Sequence, residues 1–244
     1  MTQTMSSLVL LAKSDSKRST TFHFVNFFIT PKMRRNTSIL FSIWFMGSFV
    51  YYNLVFASTS VPGNPYLNYA ISSAGEIPAA LLGLWVARKW SRRRSQALFL
   101  LLAALALVPL PFLPQGSPSW LEIGSNVLVR FLVLSAGFIK WIMALELFPT
   151  SARSFGFACV LTCSRCGAMV APFLRDLAEV TYPAIQFVFP VLFLLISASL
   201  SLLLPETLNK PLPDTFNDAE RLDRKKIPET SVPLAEYKLT STSA

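Results

Sequence analysis

The chain has 244 residues, of which 52% are hydrophobic and only 14% charged. Soluble domains carry about 25% charge, so the composition argues against an ordinary globular enzyme at the outset. Disorder is excluded too, because it needs few apolar residues and much charge. A net charge of +9 would suit nucleic acid, but the placement of the bases described below points to a membrane, with no nucleic-acid partner.

Residues 1–36 come first. They are polar up to Thr21 and then turn aromatic as FHFVNFF. This stretch would make an interfacial helix or a piece of something larger. No cleavable signal peptide is visible, since Val9–Ala12 is too short an apolar core. His23, the single histidine, reads as a surface residue, because metal sites need several donors.

Long apolar runs follow. Residues 37–87 hold one charged residue, Glu76; 95–121 hold none; 154–174 hold one, Arg165; 180–205 hold none. A bilayer core of ~30 Å needs about 20 apolar helical residues. Six spans are therefore predicted over residues 37–204: Thr37–Ala57, Tyr66–Ala87, Ala97–Leu113, Ile123–Leu145, Ser154–Leu174 and Ala184–Leu204. Open sheet edges cannot face lipid, and LFLLLAALALV lacks the alternation of a barrel strand, so the expected class is an all-α membrane protein. Residues 205–244 read as a separate tail with five prolines, mostly extended, with a short helix around Asp214–Lys226.

The bases order the topology. Lys32, Arg34 and Arg35 precede the first span, and Arg88, Lys89, Arg92, Arg93 and Arg94 fill the second loop. The first and third loops carry no charge. By the positive-inside rule the basic loops and both chain ends are cytosolic. A polybasic patch for anionic lipid is a secondary reading of the same residues. The sequon Asn36-Thr37-Ser38 then lies on the cytosolic side and stays unmodified.

Enzyme chemistry has little to work with. There is no GxGxxG, Walker loop, HExxH or GxSxG, so no enzyme activity and no cofactor are expected. Cys159, Cys163 and Cys166 share a helix face, but a redox CxxC should open a helix after a strand and zinc wants a fourth ligand. Small packing residues are the simplest reading, with a thiol sensor as the alternative.

Charges inside a span are costly and usually functional. Arg165 is central in the fifth span with no charge within a turn. It calls for an anion, either a substrate carboxylate or Glu76, which lies midway along the second span. Arg130 sits in the outer-to-middle part of the fourth span. Lys140 is near the cytosolic end of that span and is expected to snorkel to the interface. Trp44, Ser48, Tyr51 and Tyr52 recur at i, i+4, i+7 and i+8. They form either the aromatic wall of a cavity for an organic cation or planar ring, or an aromatic belt at the outer interface.

Several segments share one resemblance. TPKMRRNTSILFSIW, YYNLVF, GNPYLNY, GEIPAALL, ELFPTSAR, SFGFACVLTCSRCGAMVAPF and LLLPETLNKPLPDTFNDAE resemble the C-terminal half of solute carrier family 22, the organic cation, anion and carnitine transporters of the major facilitator superfamily. Arg153, Gly156, Thr162, Ser164, Arg165, Gly167 and Pro172 fall in place within it. The resemblance covers roughly residues 22–221. It implies half of a twelve-helix fold whose substrate lies between two six-helix halves. The chain would then transport organic ions in the plasma membrane as the C-terminal half of an alternating-access transporter, incomplete without an N-terminal half. The alternative is a non-transporting short isoform that associates with a full-length relative and regulates it. Arg165 falls where anion and carnitine carriers tend to have Arg and cation carriers Asp, which tilts the substrate towards anions or zwitterions. Trp44, Tyr51, Tyr52, Glu76 and Arg130 complete the expected substrate site. In the second loop Arg88 replaces the family's acid and Ser91 its glycine. A cytosolic gate would then rely on Arg92, Arg93, Glu146, Arg153 and Glu206. The expected partners are the lipid bilayer, a small organic ion and the missing half or a full-length relative.

Overall fold

In the computed structural model, residues 31–60, 64–112, 119–182, 185–210 and 212–213 are described. The aromatic FHFVNFF stretch, His23 and the tail helix expected around Asp214–Lys226 lie outside them. Among the described residues the fold is all helical. It comprises α1 (Pro31–Ser60), α2 (Pro65–Ala74), α3 (Glu76–Lys89), α4 (Arg92–Leu107), α5 (Ser119–Leu147), α6 (Arg153–Val180) and α7 (Ile185–Leu203), with 3-10 turns at Leu110–Phe112 and Thr150–Ala152.

These helices make six passes of a membrane bundle. Five stretches are long and apolar enough to cross a bilayer: Pro31–Ser58, Tyr66–Lys89, Ile123–Leu147, Arg153–Ala178 and Ile185–Leu203. The remaining pass is α4, whose 16 residues cover about 24 Å before Pro109 and Pro111 convert the chain to a 3-10 turn. The expected span Ala97–Leu113 therefore begins five residues early, at Arg92, and ends in a different helix type. The first span also starts early. Pro31 fits the first helical position, and residues 31–36, assigned to the N-terminal segment, belong to α1. Asn36 and Thr37 are buried there.

The second span is not continuous. Pro78 has no N–H to give the Ala74 carbonyl, so α2 stops at Gly75 and α3 restarts at Glu76. At the start of α2 the Asn64 side chain accepts a hydrogen bond from the Tyr66 N–H at 3.0 Å, an N-cap on a helix that opens with Pro65.

Helices α1 and α6 form the most extensive pairing, α4 lies between α5 and α7, and α3 rests on α5. Small residues permit the close approaches, as expected where lipid tails remove any hydrophobic drive between helices. At Gly167 of α6 any Cβ would overlap the Phe45 carbonyl of α1, and at Gly83 of α3 it would lie 2.7 Å from the Ser135 carbonyl oxygen of α5. The Ser135 hydroxyl crosses the same seam to the Ala79 carbonyl at 3.1 Å.

The core divides into two apolar layers. One gathers Leu40, Ile43, Trp44, Ile139, Met143 and Phe148 near the basic end of the bundle. The other gathers Phe49, Val50, Leu54, Leu100, Val129, Val133, Ala171 and Leu194. Outside them Ile77, Leu81 and Trp85 of α3 and Leu98, Leu101 and Leu105 of α4 are exposed, a surface suited to lipid.

The tail does not separate from the bundle at residue 205. Pro205, Thr207 and Pro213 are buried. The Thr150 N–H and hydroxyl both donate to the Pro213 carbonyl, at 2.9 and 3.2 Å. Asn209 adopts a left-handed φ of 57°, which asparagine tolerates.

Candidate functional site

A cavity of about 220 Å³ lies where the two apolar layers meet. Five helices wall it. Helix α1 contributes Trp44, Ser48, Tyr51 and Tyr52; α4 gives Gln96; α5 gives Lys140 and Trp141; α6 gives Ser164 and Arg165; α7 gives Ser197. The i, i+4, i+7, i+8 face of α1 is thus a cavity wall, not a belt at the outer interface. Tyr51 and Tyr52 meet edge to face with centroids 5.4 Å apart. Trp44, Trp141 and Phe157 form a second aromatic group, with centroids 5.3 to 5.8 Å apart. The Ser48 and Ser164 hydroxyls hydrogen-bond across the α1–α6 seam.

Arg165 lines this cavity and is exposed. Among the described residues its one side-chain hydrogen bond is a long donation to the Tyr52 hydroxyl at 3.4 Å. Among the described residues no carboxylate pairs with it; both ion pairs found there involve other bases. Glu76, the alternative partner for Arg165, belongs to Arg130. Arg130 is 0% exposed. Its guanidinium stacks between the rings of Tyr51 at 5.5 Å and Tyr69 at 5.6 Å. Tyr51 donates its hydroxyl to the same Glu76 carboxylate at 2.9 Å. Glu76 and Arg130 therefore stand behind Tyr51 and are not among the residues lining the cavity.

Lys140 departs from expectation. It does not reach for the interface. Its Nζ sits in the cavity, 4.4 Å from the Trp44 ring centroid. The snorkelling argument weighed only depth along α5. The overlooked signal was the face: Val133, Ala136 and Gly137 lie one and two turns before Lys140 and line the same cavity. Trp141 and Gln96 were also missed, since neither carries a pattern that marks it.

The expected gate residues gather at the basic end, though not all as ion pairs. Arg92 of α4 pairs with Glu146 of α5. Glu206 accepts the Ser91 hydroxyl, the Arg92 N–H at 3.1 Å and the Leu208 N–H at 3.3 Å. It thereby caps α4, whose Ser91 N-cap makes no side-chain cap of its own. Burial pushes the Glu206 carboxyl up, but the hydrogen bonds from Ser91 and the Leu208, Arg92 and Arg93 backbone outweigh it and hold the group below the usual carboxylate range. Arg93 and Arg153 reach backbone carbonyls instead, Leu204 at 3.4 Å and Phe148 at 3.4 Å. The three cysteines are free thiols, and Cys163 donates weakly to the Phe41 carbonyl at 3.5 Å. No cluster of three metal-ligating side chains occurs among the described residues.

An apolar bundle around a small aromatic and charged cavity is a membrane-embedded fold with a candidate ligand site. The chain belongs to the sugar (and other) transporter family, whose pattern matches residues 3–216. It is 34% identical over 199 residues to the organic cation transporter protein of Drosophila melanogaster, covering 82% of this chain and 36% of the relative. It is 32% identical to solute carrier family 22 member 3 of Rattus norvegicus (81% and 36%) and 36% identical to solute carrier family 22 member 1 of Oryctolagus cuniculus (84% and 37%). The chain thus spans a little over one third of the length of the curated relatives it matches. These relatives bear out the family 22 resemblance.

Proposed function

We propose that the chain forms the C-terminal half of an alternating-access carrier of organic ions, and that its cavity favours anionic or zwitterionic molecules over cations. The observation that carries this reading is Arg165, a guanidinium lining the cavity with no carboxylate partner among the described residues. An exposed guanidinium on a cavity wall with no carboxylate partner among the described residues is available to a carboxylate brought by a substrate, which its planar fork can grip through two oxygens. Tyr51 and Tyr52 would contact the organic body, with Trp44 forming the inner end of the same wall. Glu76 and Arg130 would act on the substrate only by fixing Tyr51. With the basic loops on the cytosolic side of the plasma membrane, Arg92–Glu146 and the Glu206 cap would hold that face of the bundle together. The second wall of the cavity would come from an N-terminal half or a full-length relative.

Supplying the N-terminal half of a family 22 relative in the same cells should give uptake of an anionic dye. Arg165→Lys, which keeps charge but loses the planar fork that grips two carboxylate oxygens, should lower it about tenfold. Arg165→Asp should invert the preference between matched anionic and cationic dyes. Equal losses of both dyes at normal surface expression would overturn the anion reading. Absence of uptake together with reduced uptake by a complete relative would mark the chain as a regulatory subunit instead.

A further inference from the structure

The cavity holds a second cation whose surroundings differ from those of Arg165. Lys140 places its ammonium over the face of Trp44, and Trp44 is only 2% exposed. Trp141 and Phe157 close round that ring. Space for the ammonium comes from Gly47, where a Cβ would stand 2.9 Å from the Lys140 Nζ. Among the described residues Lys140 makes no ion pair. An aromatic face with a cation about 4 to 6 Å from its centroid is the arrangement by which proteins take up quaternary ammonium ligands. Here the ligand position is filled from within the chain.

We propose that Lys140 is a tethered occupant of an organic-cation site: its ammonium takes the Trp44 face and excludes organic ammonium ions from the cavity. Exclusion has two parts. The ring face is covered, and a second positive charge would be placed beside the first. Discrimination by a built-in repulsive element is as effective as an added attraction. Arg165 lies at a different depth. Its neighbour Tyr52 is eight residues beyond Trp44 on α1, about 12 Å along the helix axis. An anion could therefore be drawn to Arg165 while Lys140 keeps the aromatic pocket closed to cations. The inference uses the cavity of the proposed function but not Arg165's role in it.

The experiment is calorimetric titration of the purified full chain in lipid nanodiscs with tetrapentylammonium and, separately, benzoate. Lys140→Gln removes the tethered charge and should raise tetrapentylammonium affinity at least tenfold. Lys140→Arg, which retains a cation for the ring, should stay as unreceptive as the parent. Gly47→Ala pushes the ammonium off the ring without changing any charge and should give a smaller gain in the same direction. No gain in a folded Lys140→Gln chain, or an equal gain in Lys140→Arg, overturns the proposal; if Lys140→Gln does not fold, the absence of a gain in Gly47→Ala does so. Benzoate reports separately: loss of its binding in Arg165→Gln supports the anion reading, and its persistence defeats that reading alone.

Discussion

Two guanidiniums sit in neighbouring parts of the bundle and are treated in opposite ways. Arg130 is fully buried, stacked between two tyrosines and paired with Glu76. Arg165 faces the cavity and, among the described residues, holds only a long hydrogen bond to Tyr52. The first has its counter-charge supplied inside the chain by Glu76, so it belongs to the architecture. The second has no counter-charge among the described residues, and in the proposed function that place is taken by a substrate. A charge in a membrane bundle is thus read less by its depth than by whether the chain itself supplies the counter-charge.

The largest expected effect comes from breaking the satisfied pair. Glu76→Gln leaves Arg130 buried without its anion and should cost about 3–5 kcal/mol, the usual loss when one partner of a buried pair is removed. Thermal unfolding in detergent should show it as a large drop in midpoint or as failure to express. A midpoint within a degree or two of the parent would erase the contrast. Arg165→Gln should change stability by roughly 0.5 kcal/mol or less, as exposed sites do. A large loss in the same melting assay would make Arg165 architectural too. The smallest effect belongs to the basic end. The Glu206 carboxyl is held below its ordinary value, so its stabilising bonds are present at neutral pH. They are lost as pH falls through the folded-state value. Lowering pH from neutral into the acid range should therefore reduce the midpoint slightly more in the parent chain than in Glu206→Gln, and parallel curves would refute the cap.

Much of the architecture was legible because charge-free runs of about 20 residues have few uses other than crossing a bilayer. Helical spacing put Trp44, Ser48, Tyr51 and Tyr52 on one face, but left open whether that face walls a cavity or forms a belt at the interface. The isolation of Arg165 in an apolar span was legible. What the sequence hid was pairing at a distance. Glu76 and Arg130 lie 54 positions apart, and nothing local says that Arg130, rather than Arg165, takes the acid. The break at Gly75 was written in Pro78, but a hydropathy window averages over it. Lys140 was misjudged because position along a helix was weighed and rotation about it was not.

The Thr150–Pro213 contact changes where the folded unit stops. Hydropathy would cut the chain after Leu204, one residue past the end of α7. Yet Glu206 caps α4, and the Pro213 carbonyl takes the Thr150 N–H in the turn between α5 and α6. Trimming at the apparent membrane boundary would remove a strap that ties α4 and α7 to the α5–α6 turn. The shortest piece that retains the bundle's own fastenings ends no earlier than Pro213.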